Sequence, residues 1–150
     1  MNLPTETLAS ANGRRRALHQ SMTDLELAVA GPAAAPGWLD GVRGGLRSVR
    51  SALEAHIVEV EGPSGLLADI VAQAPRLQAA TAELADDHRA LVEMLGRADR
   101  DVAEAEADGA TGRAGVRRRV IALLGRLAVH RQSGADLVYD AYNVDIAASD

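Results

Sequence analysis

The sequence predicts an all-α protein, an antiparallel up-down four-helix bundle built as one domain over residues 1–150. Three observations carry this. Apolar residues make up 47% of the 150, with no Phe, one Trp and two Tyr, so the core must be assembled from Leu, Val and Ala. Ala, Leu, Arg and Glu, all strong helix formers, dominate the composition, and no run of four or more residues alternates as a strand would. Three clusters of Gly and Pro cut the chain into four stretches whose apolar residues recur every three or four positions, the period of a helix with one buried face. A chain of this length can bury a sizeable core.

In order along the chain, the first stretch has the loosest pattern, with Leu8, Leu18, His19, Met22, Leu25 and Val29 before the break GPAAAPG at 31–37. In the second, Trp38, Val42, Leu46, Val49, Leu53, His56 and Val60 step by three or four throughout, and the stretch stops at Gly62–Pro63–Ser64–Gly65. The apolar piece LLADIV at 66–71 predicts an extra turn of helix inside the connection that closes near Pro75. The third stretch runs Leu77, Thr81, Leu84, His88, Leu91, Leu95, Ala98 and Val102 up to DGATGRAG at 108–115. The fourth runs Val116, Val120, Leu123, Leu127, His130, Gly134, Leu137 and Ala141. Four amphipathic helices with one apolar stripe each bury those stripes most simply against one another.

Charge and composition exclude several function classes. Sixteen basic residues, all Arg, stand against 21 acidic ones, and a net charge of −5 argues against a nucleic-acid partner. The runs Arg14–Arg15–Arg16 and Arg117–Arg118–Arg119 read as solvated helix faces. Without cysteine there is no disulfide, thiolate metal site or cysteine nucleophile. The N-terminal residues lack the apolar segment of a signal peptide, and no 18 apolar residues run together, so a cytoplasmic location and no membrane partner are expected. GVRGGLR at 41–47 lies in a helical stripe and follows no strand, which excludes a phosphate loop. Ser133 near His130 lacks the surroundings of a serine nucleophile. Tyr139 and Tyr142 are expected to pack at a bundle end, and Trp38 to cap the core.

The four histidines are the chemical feature. His19, His56, His88 and His130 fall one to each helical stretch, each on or beside its apolar stripe. In an antiparallel hairpin, residues equidistant from the turn lie at one height. The midpoints of successive histidine pairs fall in or at the end of the three breaks, which places all four imidazoles at nearly one level. Inward imidazoles at one level of a bundle suit iron, zinc or copper.

One histidine per helix resembles the hemerythrin-like (HHE cation-binding) family, through ALHQSM at 17–22, HIVEVEGPSGLL at 56–67, DDHRAL at 86–91 and HRQSGADLVYDAYNVDI at 130–146. The resemblance implies a hemerythrin-like bundle with two irons held by a first-helix His, His-x-x-x-Glu, His-x-x-x-His and His-x-x-x-x-Asp. His19, His56, His88 and His130 match that pattern, while Val60, Leu84 and Ala135 occupy three of its ligand positions. Glu61 lies one residue past the Glu position and Asp136 one past the Asp position. One inserted residue, as in a π-bulge, would return each carboxylate to the inner face. Glu59, about 60° from His56 around the helix, is the rival of Glu61.

The expected function is therefore non-haem metal binding, iron first and zinc second, in a mononuclear or atypical two-iron site. The candidate ligands are His19, His56, His88, His130, Glu61 or Glu59, and Asp136. Oxygen, redox or metal sensing, or storage, would follow, with dioxygen or another small molecule as partner. Two other classes compete: a metal-free helical interaction module, and a metal-dependent enzyme that activates oxygen or water. A cavity at the histidine level would favour the enzyme, and a sealed core the module.

Overall fold

The computed structural model describes residues 5–143, with the side chains of residues 5–8 and 110 left out. Leu8 as a core side chain and the last residues of the DLVYDAYNVDI stretch, 144–146, lie outside the described part. Four long helices account for most of the chain: α1 (Thr5–Ala30), α2 (Trp38–Glu61), α4 (Gln78–Asp108) and α5 (Ala110–Tyr142). A short α3 (Leu66–Gln73) and a 3-10 turn (Pro75–Leu77) fill the middle connection, as LLADIV predicts.

Cross-helix pairs fix the arrangement. Arg43–Glu106, Arg50–Asp99 and Glu61–His88 climb α2 while descending α4. Asp101–Arg119 and Asp87–Arg126 do the same for α4 and α5. These neighbours are therefore antiparallel. α1 packs on α2 and α5, which closes the four long helices into a ring.

The third Gly-rich cluster, at 108–115, narrows to one residue. Gly109, at φ 69, reverses the chain and α5 starts at once. Glycine adopts that backbone region without steric cost. Gly112 then packs so close that a Cβ there would lie 2.8 Å from the Ala105 Cα, so the hairpin is tight because both positions lack a side chain. At the same end of the molecule, Arg117 does not lie free on a solvated face. Its guanidinium donates to the carbonyls of Val29 and Gly31 and stacks 5.4 Å from the Trp38 ring, while Arg113 donates to the Ala33 carbonyl at 2.6 Å. Two cations thus satisfy carbonyls that the end of α1 and the loop after it leave open.

Two apolar clusters result. The larger fills the half nearer the α1–α2 and α4–α5 turns with Leu25, Val42, Leu46, Leu95, Val120 and Leu123, among others, all at 0–1% exposure. Each such side chain contributes about 1.5–3 kcal/mol of burial free energy. The smaller cluster closes the other end, where Leu66, Leu67 and Ile70 of α3 pack on Ala11, Val60, Leu137 and Val138. Tyr142 donates its hydroxyl to Asp69 at 2.5 Å and fixes α3 against α5; burial, aided by that hydrogen bond, raises the phenol's pKa. Tyr139 is half exposed. The histidines sit between the two clusters.

Candidate metal centre

His56 comes from α2, His88 from α4 and His130 from α5. Each lies three residues from a leucine of the core stripe, so the burial that orders Leu53, Leu91 and Leu127 also aims the imidazoles inward. The three rings meet. Their centroids are 5.2 Å (His56–His88), 5.7 Å (His56–His130) and 4.7 Å (His88–His130) apart. One nitrogen from each lies within 4.8 Å of the other two. A tetrahedral ion with nitrogen ligands at about 2.0–2.1 Å needs nitrogens about 3.3 Å apart, so modest ring rotation would close the set.

Two carboxylates orient the rings from behind. His88 donates through Nδ1 to Glu61 at 2.9 Å, and His130 donates through Nδ1 to Asp87 at 2.8 Å. An ionised carboxylate only accepts, so each Nδ1 carries the proton, and in the neutral ring Nε2 is then the nitrogen with the lone pair. This is the arrangement of metal-ligating histidines, whose far nitrogen is held by a carboxylate or carbonyl. Asp87 also accepts from Arg126, through Nε at 2.9 Å and through Nη2. Burial alone would raise the Asp87 pKa, but the hydrogen bonds from Arg126 and His130 outweigh it and hold the group below its usual value.

The environment disfavours the charged form of His56 and of His130. Burial, then the neighbouring His88 and His130 and the field of Arg15, push His56 down to about 3. Burial and His88 lower His130 as well, against the opposing pull of Asp87. Both ring nitrogens of His56 and the Nε2 of His88 are shut off from solvent with no hydrogen-bond partner. Leaving a buried donor or acceptor unmade costs about 1–3 kcal/mol. Desolvated imidazoles facing one another are what a transition ion requires, and the donor set fits one.

Beside the rings lies a cavity of about 40 Å³. His56 and His130 form part of its wall, Leu18, Val60, Ile70 and Leu137 supply apolar surface, and Arg15 and Arg131 supply the charge.

The structure places the sequence-predicted residues differently from one another. His56, His88 and His130 converge at one level, as equidistance from the turns predicts. His19 does not join them. It is exposed, because Leu18 takes the inward position at 1% exposure and one residue is about 100° around a helix. Neither proposed bulge exists. α2 stays α-helical through Glu61 and α5 through Gly134 to Tyr142, so Val60 and Ala135 occupy the buried positions. Asp136 is consequently exposed and accepts from Gln132 at 2.8 Å. Glu59 turns to α1 and accepts from the Ser10 hydroxyl. Glu61 does reach the site, but it reaches the back of His88 from the last residue of α2 and stands outside the inner set. Asp87 escaped the sequence reading. Its signal was position: it precedes His88 and lies about as far from the α4–α5 turn as His130 does. Comparison with family models, with curated proteins and with solved structures gave no match.

Proposed function

We propose that this is a non-haem metal-binding protein that holds one divalent transition ion on His56, His88 and His130. It would be a hemerythrin-like domain whose ligand set has contracted from two irons to a single ion. The observation that carries this reading is the convergence of His56, His88 and His130, with one nitrogen of each within 4.8 Å of the others, where both nitrogens of His56 and the Nε2 of His88 are buried without a partner. A metal-free interaction module would bear their desolvation for nothing. An all-nitrogen inner set without a carboxylate moves the preference from iron toward zinc, with ferrous iron second, because carboxylates suit harder ions.

Within that reading His56, His88 and His130 bind, while Glu61 and Asp87 fix the proton on Nδ1 of the two rings they touch. Val60, Leu66 and Ile70 keep bulk water away. The ion, when bound, supplies Lewis acidity to whatever enters the adjoining cavity. Sensing of the ion or of a small molecule suits a single site better than storage does. The cavity at the histidine level favours a metal-dependent enzyme as the second reading. Dioxygen falls back, because the site lacks the second ion and the bridging carboxylates that the resemblance implies for oxygen carriage.

The test is metal analysis of untagged protein, before and after incubation with zinc or ferrous iron, alongside a His56→Ala, His130→Ala double variant. Near-stoichiometric metal in the natural sequence and background in the variant is the expected result. Background in both, with both folded, would overturn the reading.

A further inference from the structure

We infer that the outward face of α5 is the interface of a homodimer, in which two copies of this chain pair antiparallel through Arg118, Ile121, Gly125, Val129 and Asp136. The inference goes beyond the metal reading and does not depend on it.

This face is built unlike that of the neighbouring helix. On α4 the outward positions include Asp86, Arg89, Glu93, Arg97 and Arg100, all exposed, and Asp86 pairs with Arg89 and Glu93 with Arg97 along the helix. Such a face is complete in water. On α5 the outward positions between Arg118 and Asp136 are Ile121, Ala122, Gly125, Ala128, Val129 and Gln132, all exposed and none charged. Ile121 is 56% exposed and Val129 62%. Arg126, the charge nearest this ridge, is turned to Asp87 on α4. Apolar surface continues on both sides. Ile121, Gly125 and Ala128 border an open groove shared with Met22, Val29 and Leu124, and Val129 borders a second with Ala80 and Leu84. A contiguous apolar face rimmed by polar residues marks an interaction surface.

The end charges select the occupant. Arg118 and Asp136 are five turns of about 3.6 residues apart, so they lie on one line along the helix, about 27 Å long. Among the described residues Arg118 makes no ion pair, and Asp136 meets only the Gln132 amide. Turned end for end about a point near residue 127, a second α5 brings its Asp136 to Arg118 and its Arg118 to Asp136, two ion pairs from one two-fold axis. The parallel alternative sets like charges against each other at both ends and is repelled. The antiparallel register also sets Val129 of the second copy against Gly125, where a Cβ would meet no atom within 4 Å, so the space there is open to it. A face that carries its own complement fits a second copy of the chain better than an unrelated partner. A single helix pair is smaller than a standard interface, so the dimer dissociates at micromolar rather than nanomolar concentration.

The test is sedimentation velocity of the full chain from about 2 to 200 µM, which should show a monomer–dimer equilibrium. Ile121→Glu should leave a monomer across that range, with helix content and melting temperature close to those of the natural sequence, because Ile121 lies outside the core. Arg118→Asp and Asp136→Arg should each weaken association at least about tenfold, since like charges then face each other at both ends. The two combined should restore it, because the ion pairs return with their signs exchanged. A natural sequence that stays monomeric throughout would overturn the inference. A dimer that survives Ile121→Glu would overturn it as well, by placing the contact on another face. A charge-exchanged double variant as weak as the single ones would overturn the antiparallel pairing.

Discussion

The two ends of this molecule are built on the same helices and do opposite things with their interiors. Near the α1–α2 and α4–α5 turns, the inward positions are mostly Leu and Val at close to zero exposure, and apart from the buried, unpartnered Trp38 indole nitrogen the polar groups there meet partners such as Arg113, Arg117 and the Arg43–Glu106 pair. Near α3, the same stripes carry three imidazoles, a cavity and two guanidiniums. The first half gains stability from every residue it buries. The second half keeps polar atoms dry and unmatched, a cost that persists only where something else repays it. The contrast teaches where stability and chemistry reside: one end holds the helices in register so that the other can hold three rings a few ångströms apart.

Breaking the stable end should give the largest effect. Leu95→Ala, at a fully buried position, should cost about 2–5 kcal/mol of unfolding free energy in urea titration. Metal affinity of the fraction that remains folded should hardly change. A loss below about 1 kcal/mol would mean that the two ends are not divided as described.

At the other end, Asp87→Asn should leave folding close to normal and weaken metal binding about 10–100-fold, read by competition with a chelating dye. The variant can accept from His130 as the carboxylate does, but without its charge. Glu61→Gln should act in the same direction and less, since Glu61 is more exposed than Asp87. Equal affinity in natural sequence and Asp87→Asn would separate that carboxylate from the site.

His56→Leu sharpens the comparison because its sign reverses between states. In metal-free protein at neutral pH it removes two buried, unpaired nitrogens, and unfolding free energy should stay level or rise by about 1 kcal/mol. In the presence of zinc the variant should lose the stabilisation that metal gives the natural chain. Destabilisation of the metal-free form by several kcal/mol would assign His56 a packing role instead.

The last prediction concerns acid. His56 titrates near 3 in the folded chain and near its ordinary 6.5 when unfolded, so below about pH 6.5 the unfolded chain binds the extra proton. Its contribution to stability is complete above that pH and declines as pH falls toward 3, by up to about 1.4 kcal/mol per unit. Urea titrations of metal-free protein between pH 7 and 5 should show this slope, reduced by about one proton in His56→Leu. Identical slopes would contradict the buried, neutral assignment.

Much of this was readable in the sequence, and the rest failed for identifiable reasons. Helix positions followed from stripes such as Trp38–Val42–Leu46–Val49–Leu53, because a three-four step has one buried face. The common level of His56, His88 and His130 followed from equal distances to the turns. Direction did not follow for His19: α1 has the weakest stripe, and an error of one position swings a side chain from Leu18's core site to solvent. Glu61 and Asp136 were expected inward through bulges, yet both helices kept their regular hydrogen bonding and buried Val60 and Ala135 instead. Asp87 was not singled out in the sequence, because its role depends on which neighbouring helix it faces, and a single helix's periodicity carries no such information.

X-ray absorption at the zinc edge of the loaded protein tests the central claim most directly. Three imidazole nitrogens at about 2.0–2.1 Å, with one oxygen ligand and no neighbouring metal, is the result expected. A shell dominated by carboxylate oxygen, or one left intact when His88 is replaced by alanine, would contradict it.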